Sequence, residues 1–322
     1  MSTTERATPE NFDEERYLLA NPDIADFVYG GGVARDHFDA HGHAEERPQL
    51  TVAALGTDLS RAHRKFLRFE GVLDASAGAG GNFRPLEQPD ALPLYYGRHP
   101  DGEFSLDTYE GESANAAHEP FVRMLRDNPD MLFLDVGCGR RNYTYDNCLY
   151  IEVYRSVSAD LVIEPACTYP IRSGSIDAIS CFAVLEHVPE PWKVARDFHR
   201  MLKPGGQVFI DWPFLQPLHG YPSHYYNATH LGLERMFTEG FDLLSNETLD
   251  NQTPDASLRW MLEGIADSIV DPAVRDAFGK ATVADLIATP LSGALWSQVR
   301  ASLNEDGRRR FAAGSTLIAR KR

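Results

Sequence analysis

Cysteine is scarce in this sequence of 322 residues, and its few copies follow no paired pattern. The four cysteines are Cys138, Cys148, Cys167 and Cys181, and no two of them form a CxxC pair. Disulfide-rich secreted domains are short and dense in cysteine, so we expect reduced thiols here. This expectation places the protein in the cytoplasm.

Long apolar runs are also missing. No stretch approaches the roughly 20 residues that a transmembrane helix needs. The first residues, MSTTERATPENFDEERY, lack the apolar segment of a secretory signal. We therefore expect no membrane span and no conventional export.

Positive charge is sparse as well, since the formal net charge is -16. The dense basic runs are RRR at 308–310 and the terminal RKR. A surface this acidic repels phosphate backbones, which argues against a nucleic-acid partner. The 43% apolar content is nevertheless sufficient for a globular core.

The chain separates into three parts by pattern. Residues 1–50 show apolar residues at helical spacing and indicate a small helical N-terminal module. Residues 51–112 begin with a predicted helix and then become rich in Pro, Gly and aromatics, which is typical of a linker and a lid or arm. Residues 113–322 alternate between helical and strand patterns and form the main domain.

That alternation predicts an α/β fold. Helix SANAAHEPFVRMLRDN precedes strand MLFLDV, and the strands LYIEV, DLVIE, IDAISCF and GQVFIDW follow. A helix over PEPWKVARDFHRM ends before Pro204. Two later strands, in FDLLSNETL and AGSTLIARK, would complete a doubly wound, mainly parallel sheet of seven strands.

The stretch LDVGCGRRN follows the first of these strands, where such folds bind ligands. A dinucleotide fingerprint needs a third glycine, and Asn142 stands in its place, so NAD is disfavoured. The GxxxxGK[ST] phosphate loop is absent. A plain βα turn would explain the two glycines, but it would not explain the acidic residue Asp135 directly before them.

Three spaced motifs resemble those of the class I S-adenosylmethionine-dependent methyltransferases, of the methyltransferase domain 11 type. These are DxGxG at Asp135–Gly139, LEHV at Leu185–Val188 and LKPGG at Leu202–Gly206. The resemblance covers about 130–240 and implies a Rossmann-like fold with S-adenosylmethionine as cofactor. The cofactor-binding residues that it implies are Asp135, Gly137, Cys138, Gly139, Glu152, Val153, Glu164 and Phe182.

Two departures from the family pattern concern the second strand. Tyr154 stands where the acid that holds the ribose hydroxyls commonly falls, but Glu152 lies one pleat period earlier on the same face. We expect Glu152 to substitute for it, and Glu164 to contact the adenine amino group. Only about ten residues join the first two strands, so the usual first helix is expected to be a turn or loop.

The acceptor should lie near residues 211–230, which are dense in aromatics, prolines and histidines. Methyl transfer to a hydroxyl needs a base, for which His219 is the first candidate, followed by His224 and Asp211. His187 is expected to pack structurally or on the cofactor side. Tyr95 and Tyr96 are expected either to close over the cofactor or to pack in the core.

Residues 12–48 resemble a small module that accompanies bacterial glycan-related glycosyltransferases and methyltransferases. Its His37, His41 and His43 have a spacing open to metal binding, but packing is favoured and no metal is expected. By association, the module points to a saccharide or glycolipid acceptor in glycan biosynthesis.

The leading hypothesis is therefore an O-methyltransferase that acts on a saccharide or another small polar acceptor. Alternatives are a methyltransferase of a natural product or protein, and a degenerate cofactor-binding module that acts through protein partners. A nicotinamide dehydrogenase is disfavoured. The pattern leaves the oligomeric state open.

Overall fold

The computed structural model describes residues 4–21, 24, 33–52, 65, 68–74, 94–96, 112, 118–141, 143–154, 156, 158–163, 168–220 and 223–321. It divides into two compact units, the first formed by residues 1–212 with 239–241 and the second by 213–238 with 242–322. Within the described part of the chain, no helix combines the length and apolarity that crossing a membrane requires.

The first unit is built on a parallel sheet. Its described strands are β1 (Thr4–Arg6), β2 (Pro48–Leu50), β3 (Leu94–Tyr96), β4 (Phe133–Val136), β5 (Cys148–Glu152), β6 (Leu161–Ile163), β7 (Ile176–Phe182) and β8 (Leu202–Asp211). Six of them pair in the order β3-β6-β5-β4-β7-β8, and every pairing is parallel. The α/β class is thus confirmed, and all carboxyl ends of these strands meet at one edge.

The central strands are buried along their whole length. Every residue of β4, β5 and β6 is buried, as expected for strands covered on both faces. The helices of this unit whose bounds the structure describes are α1 (Glu14–Ala20), α2 (Ala34–His37), the π-helical turn Phe38–Gly42, α3 (Glu119–Asp127), the 3₁₀ turn Leu185–His187 and α4 (Pro191–Met201). Helix α3 buries Phe121 and Leu125, one turn apart, against the sheet.

The two predicted tail strands are wrong. Residues 241–249 and 313–321 are all described and contain no strand. Leu244 and Ile318, which lie in these two runs, are 77% and 93% exposed. Each run carries only a few apolar residues, which is too little to distinguish a strand from exposed coil. In the parallel sheet, the sequence patterns missed β3, which lies inside the predicted linker and pairs with β6.

The connection from β4 to β5 was expected to lack its helix. Residues 137–141 and 143–147, the described part of this connection, contain none. The glycine turn is therefore followed by turn and coil in the described residues before β5 begins at Cys148.

The N-terminal residues combine helices with a small sheet. Strand β1 pairs antiparallel with β2, whereas the sequence had predicted a module made of helices alone. Ala7, Tyr17, Ile24 and Phe38 form a buried cluster there. The three histidines hold ring contacts: His37 with Tyr17 and His41, and His43 with Phe38. The predicted boundaries near 50 and 112 stay predictions.

The second unit is helical in its described part. Its helices are α5 (His230–Phe237), the 3₁₀ turn Asp250–Gln252, α6 (Pro254–Ser268), α7 (Pro272–Lys280), α8 (Val283–Ala288), α9 (Ala294–Ser302) and α10 (Glu305–Arg310). Ile269, Phe278 and Val299 form the centre of its core.

Candidate active site

The glycine turn lies where the sequence predicted it, directly after β4. Gly137 and Gly139 have φ of +66° and +53°, which side chains rarely tolerate. The backbone N–H of Gly137 donates to the Ile151 carbonyl at 2.8 Å. A Cβ on Gly137 would lie 2.0 Å from Cγ2 of Val184, so the turn packs closely on the segment after β7.

Asp135 is buried beneath this turn in an ion pair. Nε of Arg141 lies 2.8 Å from Oδ2 of Asp135, and Nη2 lies 3.1 Å from Oδ1. The side chain of Asp135 is 1% exposed and that of Arg141 is 7% exposed. The Asp135 charge is therefore matched inside the protein, and the pair fixes both ends of the turn.

Glu152 ends β5 with its carboxyl turned toward the glycine turn. Oε1 accepts the N–H of Gly139 at 2.8 Å, and Oε2 accepts the N–H of Val153 at 2.8 Å. Burial raises the pKa of Glu152 to about 7, although these two hydrogen bonds oppose the increase. The Tyr154 hydroxyl also bonds to this carboxyl. A carboxylate offers about four acceptor positions, so one remains for a ligand.

A second carboxyl lies beside Glu152. Oε1 of Glu112 is buried and has no hydrogen-bond partner in the part of the chain that the structure describes. Glu112 hydrogen-bonds to Ser156, and burial raises the pKa of its carboxyl. The charge of Glu112 in turn raises the pKa of Glu152. No motif indicated Glu112, which lies far from the motifs along the chain.

The other predicted cofactor residues occupy different surroundings. Cys138 is fully buried in the core, and burial raises the pKa of its thiol, so only its backbone remains for a ligand. Phe182 is half-buried at the end of β7. Glu164 lies outside the described residues.

The ends of β7 and β8 form the second half of this edge. Phe182 and Asp211 are register partners, and the N–H of Ala183 donates to the Asp211 carbonyl at 3.1 Å. Ala183 has φ of +53°, an uncommon conformation for a residue with a side chain. Glu186 is completely buried, and burial raises its pKa to about 8. Nε2 of His187 lies 3.7 Å from its Oε1.

His118, which the motifs did not indicate, lies at the same edge. It directly precedes α3, and its ring centroid is 5.4 Å from that of Phe182 and 5.9 Å from that of Phe209. Burial lowers the pKa of His118, while the charges of Asp211 and Glu119 raise it.

His219 and His224 lie together in the second unit. The backbone N–H of His219 donates to Nδ1 of His224 at 3.3 Å, and Nδ1 of His219 lies 2.8 Å from the Pro217 carbonyl. Both histidines line a cavity of about 490 Å³ with Asp306 and Arg310. Burial lowers the pKa of His219.

Comparison with known proteins agrees with the motif assignment. Residues 134–210 match the methyltransferase domain family. An ubiquinone biosynthesis O-methyltransferase of Pseudomonas paraeruginosa is 42% identical over 57 residues, which are 18% of this chain and 22% of the relative. The enzymes of that name from Pectobacterium atrosepticum and Escherichia coli are each 29% identical, over 46% of this chain and 60% of the relative. The chain thus spans at most about three fifths of these relatives' length.

Proposed function

We propose that this chain is a methyltransferase that moves a methyl group from S-adenosylmethionine to a hydroxyl oxygen of a small molecule. The observation that carries the proposal is the Glu152 carboxyl, held against the glycine turn at the end of β5. The family match supports methyl transfer, because it spans this turn together with the LEHV segment. The relatives' names support oxygen as the atom that is methylated.

The described residues fit this cofactor. Glu152 keeps an acceptor position for a ribose hydroxyl, and the buried, unpartnered Oε1 of Glu112 marks a second acceptor nearby. The glycine turn brings backbone close to the ligand without side chains in between. Asp135, paired with Arg141, holds the turn, and Val153 positions Glu152. Roles for Cys138, Phe182 and Glu164 stay predictions.

When bound, S-adenosylmethionine supplies a methyl group made electrophilic by its sulfonium. The chain has to hold the acceptor oxygen in line, exclude water and accept the hydroxyl proton. Asp211 ends β8 at the same edge as the glycine turn, which supports a place for it near the acceptor. His219 and His224 stay predictions for the base.

The acceptor is proposed as a small molecule with a hydroxyl group. A saccharide rests on the resemblance of residues 12–48 alone, and none of the three relatives has a name that refers to a glycan. Their names refer to ubiquinone biosynthesis, which adds phenolic hydroxyls to the classes to be tested.

Calorimetric titration of the purified chain with S-adenosylmethionine, S-adenosylhomocysteine and NAD tests the cofactor. We expect binding of the first two, none of NAD, and loss of binding in Gly137→Arg. Formation of S-adenosylhomocysteine is then followed with 3,4-dihydroxybenzoate as a phenol and methyl glucoside as a saccharide. Absence of any S-adenosylmethionine binding would refute the proposal. Binding without turnover on a wide hydroxyl panel would favour a degenerate cofactor-binding module.

A further inference from the structure

His118 packs on the sheet face that carries Asp211. Phe182 and Asp211 are register partners on β7 and β8, so their side chains share one face. Phe209 lies two residues before Asp211 and therefore points to the same face. Because the His118 ring contacts both Phe182 and Phe209, it lies over the carboxyl ends of these two strands.

This place adjoins the glycine turn. Strand β7 is the neighbour of β4, and the turn after β4 packs on Val184, two residues beyond Phe182. His118 is thus separated from the turn by the short segment 182–184. A methyl donor bound at the turn and an imidazole at Phe182 would share the same edge of the sheet.

The surroundings of His118 suit a proton acceptor. Its Nδ1 is buried and has no hydrogen-bond partner among the residues that the structure describes. His118 is the N-cap residue of α3, but its side chain makes no capping hydrogen bond. Burial lowers the pKa of His118, so the neutral ring prevails at neutral pH. The charged groups that face it are Asp211 on β8 and Glu119 on its own helix.

From this geometry we infer that His118 is the general base of the reaction and that Asp211 stabilises its protonated form. The inference rests on the proposed function. The acceptor O–H bond breaks and its proton moves to the imidazole, while the oxygen forms a bond to the methyl carbon. The carbon–sulfur bond breaks with its electron pair passing to sulfur, which leaves S-adenosylhomocysteine, and the imidazolium then returns its proton to water.

The central test compares His118→Gln with His199→Gln, which replaces an exposed histidine on α4. S-adenosylhomocysteine binding and the melting temperature are measured alongside turnover on whichever of 3,4-dihydroxybenzoate or methyl glucoside reacts. We expect His118→Gln to lose about 10²–10⁴-fold in kcat with binding retained, and His199→Gln to match the wild type. Unchanged kcat in His118→Gln, or a comparable loss in His219→Gln alone, would overturn the inference.

Asp211→Asn provides a second readout that a purely structural role would not move. The wild-type rate should fall as pH drops through the imidazole pKa, below 6.5. Without the Asp211 charge, that acid limb should move to lower pH, and in His118→Gln it should vanish. An acid limb that both variants leave in place would contradict the assignment.

An acceptor-free measurement keeps the test decisive if neither probe reacts. Diethyl pyrocarbonate acylates neutral imidazoles, and the rate at each histidine is followed by mass spectrometry with and without S-adenosylhomocysteine. We expect the bound product to protect His118 and to leave His199 unchanged. Equal modification of His118 in both states would place it away from the methyl donor and refute the inference. Failure of wild-type protein to bind S-adenosylhomocysteine would instead refute the proposed function.

Discussion

Arg141 and Asp135 form a two-pronged ion pair that is almost completely buried below the glycine turn. Removing one partner would leave the other charge buried and unmatched. We expect Arg141→Met to lower the free energy of unfolding by about 3–5 kcal/mol. Chemical denaturation measures this loss. Arg123→Met, which removes an exposed pair with Glu119, should cost under about 1 kcal/mol. Equal losses in the two variants would refute the structural role of the buried pair.

Gly137 combines a left-handed backbone with close packing, and the two effects can be separated. Gly137→Ala should cost about 1–2 kcal/mol of backbone strain plus the overlap with Val184. Gly174→Ala is the matched control, because its φ is +63° and no described atom lies within 4 Å of the new Cβ. We expect the control to show strain alone and Gly137→Ala/Val184→Ala to recover part of the difference. Stability is measured by denaturation, and a double variant that recovers none of the difference would contradict this packing.

Glu152 should make cofactor binding depend on pH. In the role proposed for Glu152, ribose hydroxyls would donate to its ionised carboxylate, and the pKa of Glu152 is about 7. The ionised fraction rises between pH 6 and 8, so affinity for S-adenosylhomocysteine should increase by about tenfold over this range. Glu152→Gln should bind weakly with a flat profile, whereas Asp146→Asn, an exposed acid preceding β5, should behave as the wild type. Calorimetry at both pH values decides, and a pH-dependent Glu152→Gln would remove the assignment.

Glu186 should make stability depend on pH in the opposite sense. Its pKa is about 8 in the folded chain against an ordinary value of 4.5, so the folded state holds the proton more tightly. Stability is therefore complete below about pH 4.5 and is lost as pH rises toward 8. Glu186→Gln resembles the protonated form, so it should melt above the wild type at pH 8. Glu190→Gln, at an exposed pair with Lys193, should leave the pH dependence unchanged.

Two glycines of the second unit should respond oppositely to alanine. Gly279, near the end of α7, has no described atom within 4 Å of an added Cβ, so Gly279→Ala should stabilise by about 0.5–1 kcal/mol. In α6, a Cβ on Gly264 would lie 2.1 Å from the Phe311 ring. Gly264→Ala should therefore destabilise, by about 1–3 kcal/mol. Stabilisation of both variants in thermal melts would contradict the packing of Phe311.

The central sheet could be predicted because the local sequence of most of its strands is typical of a buried strand. Strands β4 to β8 each contain a short apolar run, and α4 shows clear helical spacing before Pro204. Strand β3 could not be found in this way, since its three residues acquire their conformation from pairing with β6. The tail strands failed for the converse reason, because their short apolar runs suit a strand locally, whereas residues 241–249 and 313–321 are largely exposed coil.

The candidate site was predictable only in part. The glycine turn follows from a strand end, and Glu152 follows from the acid that the family resemblance implies at the next strand end, shifted by one pleat period. The Asp135 pairing depends on the path of a helix-free connection, which no periodicity describes. Glu112 and His118 meet the site through contacts between distant segments, so their chemistry emerges only from the fold.

The helix-free connection between β4 and β5 also bears on how the chain folds. Phe133 of β4 pairs with Cys148 of β5, and Ile151 of β5 pairs with Leu161 of β6. The partner of Phe133 on β7 is Ala178, which lies much farther along the chain. Closing the shorter loops costs less chain entropy, which favours early association of β4, β5 and β6. The glycine turn is part of the first of these loops, the one between β4 and β5. The candidate site around the glycine turn would then begin as a folding nucleus, and substitutions there should slow folding more than they speed unfolding.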